Sequence, residues 1–86
     1  MIKIYTANYC SYCGEAVNIL IQKGACFQVF DVTNDIEQRK LLTEETECDT
    51  LPQVFIDGVF IGGYPELQTL EELGQLDNLS KGENNV

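Results

Sequence analysis

Apolar and polar side chains alternate at the start of the chain, in Ile2-Lys3-Ile4-Tyr5-Thr6. That is the period-two pattern of a strand with one buried face. The period then lengthens: Ala16, Val17, Leu20 and Ile21 recur at helical spacing within 14–22, and Lys23-Gly24 supplies a basic end and a glycine stop. Cys26-Phe27-Gln28-Val29-Phe30 predicts a second strand. Asn34, followed three residues later by Glu37, forms a capping-box pattern for a helix running to about Glu45, with an apolar face of Ile36, Leu41 and Leu42. After Pro52, the runs Gln53-Val54-Phe55-Ile56 and Val59-Phe60-Ile61 flank Asp57-Gly58, a strong local signal for a hairpin. Gly62-Gly63 closes it. Pro65 suits the first position of a helix carrying Leu67, Leu70 and Leu73; Gly74 stops that helix, and Gln75 to Leu79 predicts one further turn.

The predicted order is βαβαββα. A βαβ unit implies a parallel strand pair, and the Asp57-Gly58 hairpin adds two antiparallel strands. The expected architecture is an α/β fold: a four-stranded mixed sheet with helices on both faces. A chain of 86 residues supports one core, so residues 1–79 are expected to form a single domain. From Ser80 onward the sequence has nothing to bury, which predicts a frayed tail over 80–86.

Charge narrows the function. Five Lys plus Arg stand against fourteen Asp plus Glu, a formal net charge of -9, with no His. No basic footprint exists for nucleic acid or anionic membrane surfaces. Without His there is no Ser-His-Asp triad, Cys-His dyad or His-based metal site. Lys3 interrupts the only N-terminal apolar run, and no stretch approaches the ~20 apolar residues of a membrane span. A cytoplasmic protein is expected. Thiols stay reduced there, so the four cysteines read as reactive, metal-binding or buried groups rather than as a disulfide framework.

Cys10-Ser11-Tyr12-Cys13 follows a predicted strand and opens a predicted helix within a βαβ unit, the setting in which CxxC reads as a redox motif. Unpaired N–H groups and the positive end of the helix dipole favour thiolate over thiol at Cys10. Cys10 is then the exposed nucleophile, and Cys13, one turn in, is placed to attack a mixed disulfide formed there. The same pair could instead be half of a zinc site completed by Cys26 and Cys48, but neither of those has a CxxC partner. Two ordinary buried thiols are the other bland alternative.

Tyr5-Thr6, Cys10-Ser11-Tyr12-Cys13, Thr50-Leu51-Pro52-Gln53-Val54-Phe55-Ile56 and Gly62-Gly63, at these separations, resemble the glutaredoxin family from Ile2 to about Leu79. The resemblance implies a thioredoxin fold and glutathione-dependent reduction of protein disulfides and of glutathione mixed disulfides. It implies Cys10 as nucleophile and Cys13 as resolving thiol. Pro52 matches the family's cis-proline, and Leu51 would offer its backbone to the cysteinyl part of glutathione, beside Thr50. Tyr12 would line the groove, Arg39 would pair the glycine carboxylate, and Gly63 and Tyr64 would give N–H groups to the γ-glutamyl carboxylate. Glutathione is thus the expected co-substrate and disulfide-bearing or glutathionylated proteins the expected partners of a monomer.

Two positions depart from the family. Ala7 stands where many members carry Lys, and Gly62-Gly63-Tyr64-Pro65-Glu66 replaces Gly-Gly-x-Asp-Asp. Pro65 has neither an N–H nor a carboxylate, and Glu66 would only partly replace the missing acid. Weaker glutathione binding than in a typical member, or another reductant, is therefore expected. Ser11 in place of Pro resembles members that hold a [2Fe–2S] cluster between two subunits through their first cysteines and two glutathiones. This binding function is the alternative, with Cys10 as its only protein ligand. A redox-inactive interaction domain is a third class, against which Cys10 and Cys13 argue. Cys26 is expected to pack within its strand as a small hydrophobe, and Cys48 to lie in a polar loop near the groove.

Overall fold

The computed structural model describes residues 1–76, so the expected tail over 80–86 and the last residues of the predicted domain lie outside the described residues. The elements are β1 (Ile2–Thr6), α1 (Ser11–Gln22), β2 (Phe27–Asp31), α2 (Ile36–Thr46), β3 (Gln53–Ile56), β4 (Val59–Gly62) and α3 (Tyr64–Glu72). They form one four-stranded sheet in the order β2-β1-β3-β4. β1 runs parallel to β2 and antiparallel to β3, and β3 pairs antiparallel with β4. This is the predicted mixed sheet of a thioredoxin fold.

Alternation along the strands sends two sets of side chains to opposite faces. On one face Ile2, Ile4, Val54 and Ile56 meet Ala16 and Leu20 of α1 and Leu67 of α3, with Leu76 closing the cluster. The other face carries an aromatic row across all four strands. Tyr5 stacks on Phe30 at 5.0 Å, meets Phe55 edge-on at 5.6 Å, and Phe55 meets Phe60 at 5.3 Å. α2 lies on this second face, where Thr46 reaches Gln53, the strand neighbour of inward-facing Val54. Leu42 is the one residue that α2 buries.

Three boundaries differ from those read in the sequence. α2 is capped by Asp35, whose carboxylate accepts the Gln38 N–H at 3.1 Å, and not by Asn34. Glu37 then falls in the second helical position, one short of a capping box. β2 begins at Phe27, which leaves Cys26 exposed ahead of it and not packed in the strand. α3 starts at Tyr64, so Pro65 occupies its second position. The hairpin is as expected: Asp57 and Gly58 both take positive φ (52° and 82°), as a type I′ turn requires.

Candidate active site

Cys10 ends the loop that leaves β1 and serves as the N-cap of α1, with extended backbone angles (φ -105°, ψ 111°). Its sulfur accepts the N–H of Cys13 at 3.3 Å, taking the place that a Ser or Asp oxygen usually fills at a helix start. Its thiol donates to the Leu51 carbonyl, also at 3.3 Å, which ties the motif to the segment before β3. The loop itself is fixed on both sides. The Cys10 N–H bonds the Ala7 carbonyl, and the Asn8 N–H bonds the Thr33 hydroxyl, two residues past β2. Asp31 accepts both the Thr33 N–H and its hydroxyl, which holds the Asp31 carboxyl below its usual range.

The two thiols differ sharply. Cys10 is partly exposed, whereas Cys13, one turn into the helix, is 3% exposed. Burial, followed by its hydrogen bond with Cys10, pushes the Cys13 thiol up to about 12; nearby negative charge at Cys10 and Asp31 adds to the rise. Cys13 therefore keeps its proton near neutral pH. The Cys10 sulfur sits at the N-terminus of α1 and receives the Cys13 N–H there. All four cysteines are free thiols.

A cavity of about 770 Å³ runs beside the motif, lined by Tyr12, Thr50, Leu51, Pro52, Gly63, Tyr64 and Glu66. The Leu51–Pro52 peptide bond is cis. A second cavity of about 350 Å³ carries Arg39, Lys40 and Thr43 of α2 and shares Leu51 and Gln53 with the first. The two thus meet along one stretch of backbone. The Arg39 guanidinium lies 5.6 Å from the centre of the exposed Tyr9 ring, and the Tyr12 and Tyr64 rings approach to 5.2 Å. Cys10 and Cys13 themselves line a separate depression with Ala7, Asn8 and Asp31. What links Cys10 to the groove is the Leu51 carbonyl.

Most residues singled out in the sequence therefore come together, but one is already engaged. The Gly63 N–H donates to the Glu66 carboxylate at 2.7 Å, the helix-capping half of a capping box. The Glu66 side chain lies directly over Gly62 (φ 137°), where an added Cβ would meet its Cγ at 2.5 Å. Gly62 is thus the residue that lets this carboxylate fold back. Cys48 is exposed on the rim of the larger cavity, and Ala7 is buried (4% exposed), leaving no cation at that position. Gln53, on both cavities, and Tyr9, against Arg39, are the neighbours of these residues that sequence reasoning did not single out. Gln53 had a signal: it is the polar residue opening an otherwise apolar strand. Among the described residues, no cluster of three or more His, Cys, Asp or Glu side chains could hold a metal ion, and no helix is long and apolar enough to cross a membrane.

A partly exposed thiol and a buried one, one turn apart at the start of the first helix of this sheet, define a thiol–disulfide oxidoreductase of the thioredoxin fold. The comparisons with known proteins agree. The family model for glutaredoxin matches residues 2–61. Glutaredoxin 3 of Escherichia coli strain K12 is 36% identical over 80 residues, covering 93% of this chain and 96% of that protein. Among solved structures, the solution structure of glutaredoxin from Brucella melitensis superposes with a TM-score of 0.82 at 38% identity, covering 99% of this chain and 92% of that one. The crystal structure of a buckwheat glutaredoxin–glutathione complex superposes with a TM-score of 0.85 at 25% identity, covering 94% and 76%. The chain belongs to the glutaredoxin family.

Proposed function

We propose that the protein is a glutathione-dependent reductase of protein disulfides and glutathione mixed disulfides, with Cys10 as nucleophile. The observation that carries this reading is the Cys10 sulfur, partly exposed, receiving the Cys13 N–H at 3.3 Å at the head of α1. The Cys10 thiolate attacks the glutathionyl sulfur of the mixed disulfide. A Cys10–glutathione bond forms, the original S–S bond breaks, and the substrate leaves as a thiolate that takes up a proton. The thiolate of a second glutathione then attacks that adduct, releasing glutathione disulfide and restoring Cys10. Cys13 is the alternative resolving group, giving a Cys10–Cys13 disulfide. Burial raises the Cys13 thiol, which works against the route through Cys13.

Glutathione lies in the two adjoining cavities in this reading. Leu51 supplies backbone hydrogen bonds in the manner of an added strand, flanked by Thr50 and Pro52, with Tyr12 and Tyr64 along one wall. Arg39 pairs the glycine carboxylate from the second cavity. The other carboxylate goes to the start of α3, at Gly63 and Tyr64, where Glu66 already takes the Gly63 N–H and Pro65 offers none. Affinity for glutathione is accordingly lower than in relatives with an open site there. The neighbouring glutathione complex of a buckwheat family member supports glutathione as co-substrate. A monomer in a reducing compartment, the cytoplasm, fits four free thiols.

The test is coupled reduction of a glutathionylated peptide by glutathione and its reductase, with Cys10→Ser and Cys13→Ser alongside wild type. Cys10→Ser is expected to lose turnover altogether, and Cys13→Ser to retain it. Wild-type inactivity at any glutathione concentration would remove the glutathione reading. A visible chromophore after anaerobic purification would then favour cluster binding.

A further inference from the structure

Gln53 is 2% exposed, the most deeply buried polar side chain among the described residues, and it sits where the two cavities meet. Its Nε2 donates to the Cys48 carbonyl at 2.8 Å and to the Thr50 carbonyl at 3.2 Å. Its Oε1 lies 3.3 Å from the Thr46 hydroxyl at the end of α2, and that hydroxyl also accepts the Cys48 N–H at 3.2 Å. One buried amide thus gathers α2, the 48–50 segment and β3. The 47–52 segment has no strand partner of its own, so these bonds replace the ladder that would otherwise fix it. With the Thr50 carbonyl turned to Gln53, the next carbonyl, that of Leu51, faces the Cys10 thiol at 3.3 Å.

We propose that Gln53 is the positioning residue of this site: its buried carboxamide sets the 48–51 backbone so that Leu51 presents its peptide groups to the nucleophile and to the bound substrate. Gln53 does this without touching the reacting sulfurs. A carboxamide suits the task because it offers two N–H groups on one nitrogen and spans two carbonyls at once. An apolar side chain of the same length fills the space but leaves the Thr50 carbonyl unpaired against it and the Cys48 carbonyl with only the Thr46 hydroxyl at 3.3 Å, so the segment gains by turning outward to water. Leu51 then loses its fixed orientation while the core on the opposite face keeps its packing.

The kinetic half of the test rests on the glutathione reading; the exchange half does not. Gln53→Met keeps length and volume and removes the polar atoms, whereas Gln53→Asn keeps the amide but reaches one carbonyl only. In the coupled reduction of a glutathionylated peptide, Gln53→Met is expected to raise KM by roughly tenfold or more, with the effect falling on KM more than on kcat. Gln53→Asn is expected to recover part of that loss. Amide hydrogen exchange should accelerate by about tenfold or more at 48–51 and leave 54–61 as in wild type. A variant that lowers kcat in step with its folded fraction, with KM unchanged, overturns the proposal. Equal acceleration in both segments overturns it too. If wild type shows no glutathione-dependent turnover, the glutathione reading falls, and the exchange comparison alone decides whether Gln53 positions the segment.

Discussion

The two faces of the sheet are built by different means. On the side of α1 and α3, Ile4, Ala16, Leu20, Val54, Leu67 and Leu76 are all 0% exposed, an interlocked apolar layer. On the side of α2, Leu42 is buried while Ile36 (78%) and Leu41 (58%) stay exposed; Asp35 caps the helix's own first turn, and the polar bond that reaches the sheet is that of Thr46 to Gln53. The redox pair belongs to the apolar side, since Cys13 packs in the first turn of α1. Arg39 belongs to the polar side. On the proposed function, the chemistry is therefore mounted on the part of the molecule that costs most to move, and Arg39, proposed to pair the glycine carboxylate, on the part that costs least.

Core truncation gives the largest expected contrast. Leu67→Ala or Leu20→Ala should cost about 2–5 kcal/mol by urea unfolding, because each leaves a cavity in a layer with no slack. Leu42→Ala should fall at or below the low end of that range, and Leu41→Ala within about 0.5 kcal/mol of wild type. Equal losses for Leu67→Ala and Leu42→Ala would erase the distinction between the faces.

The buried thiol supplies a second contrast, in pH. The folded state holds the Cys13 proton up to about 12, from a reference value of 9.0. Between those values the unfolded chain loses that proton first, so the native state binds more protons and stability falls as pH rises. The contribution is complete below pH 9 and is lost toward pH 12, at up to about 1.4 kcal/mol per pH unit. Unfolding free energies of wild type minus Cys13→Ala should therefore decline across that window and stay level below it. A flat difference would mean that Cys13 is far better solvated than its packing indicates.

The same division governs what could be read from the sequence. β1, the hairpin and the faces of α1 and α3 were legible because apolar periodicity and turn chemistry decide them. α2 has a weak apolar face, so its boundary rests on which polar side chain wins the cap. Asn34 and Asp35 are adjacent candidates, and the pattern of Asn34 with Glu37 pointed to the wrong one. Cys10, Cys13, Leu51 and Pro52 were legible as a motif. That the Gly63 N–H is spent on Glu66 was not, since it depends on a side chain folding back over Gly62. Gln53 stands in the motif as the one polar residue of an apolar strand, and only its 2% exposure shows that its amide is turned inward.

The next contrast tests recognition from the α2 side. Arg39→Ala should raise KM for glutathione by about three- to tenfold, in line with one charge-assisted pair at a half-exposed site, with Arg39→Lys recovering part of it. Tyr9→Ala, which removes the ring beneath the guanidinium, should give a smaller rise of the same kind. An unchanged KM in Arg39→Ala would leave that side chain as a solvated surface charge and would move the glycine carboxylate elsewhere.

The smallest effect sits at the head of α2. Asp35→Ala removes the carboxylate that caps Gln38 and should cost about 1 kcal/mol or less, since the site is exposed. The consequence is local because the Asp35 carbonyl also accepts the Arg39 N–H at 3.1 Å, so the turn that loosens is the one carrying the guanidinium. KM for glutathione should rise by less than in Arg39→Ala, and the two substitutions together should cost no more than Arg39→Ala alone, since the cap acts only through that side chain. Additive losses would show that α2 supports the groove in some other way, through the Thr46–Gln53 bond at its far end, and the polar face would then be as rigid as the apolar one.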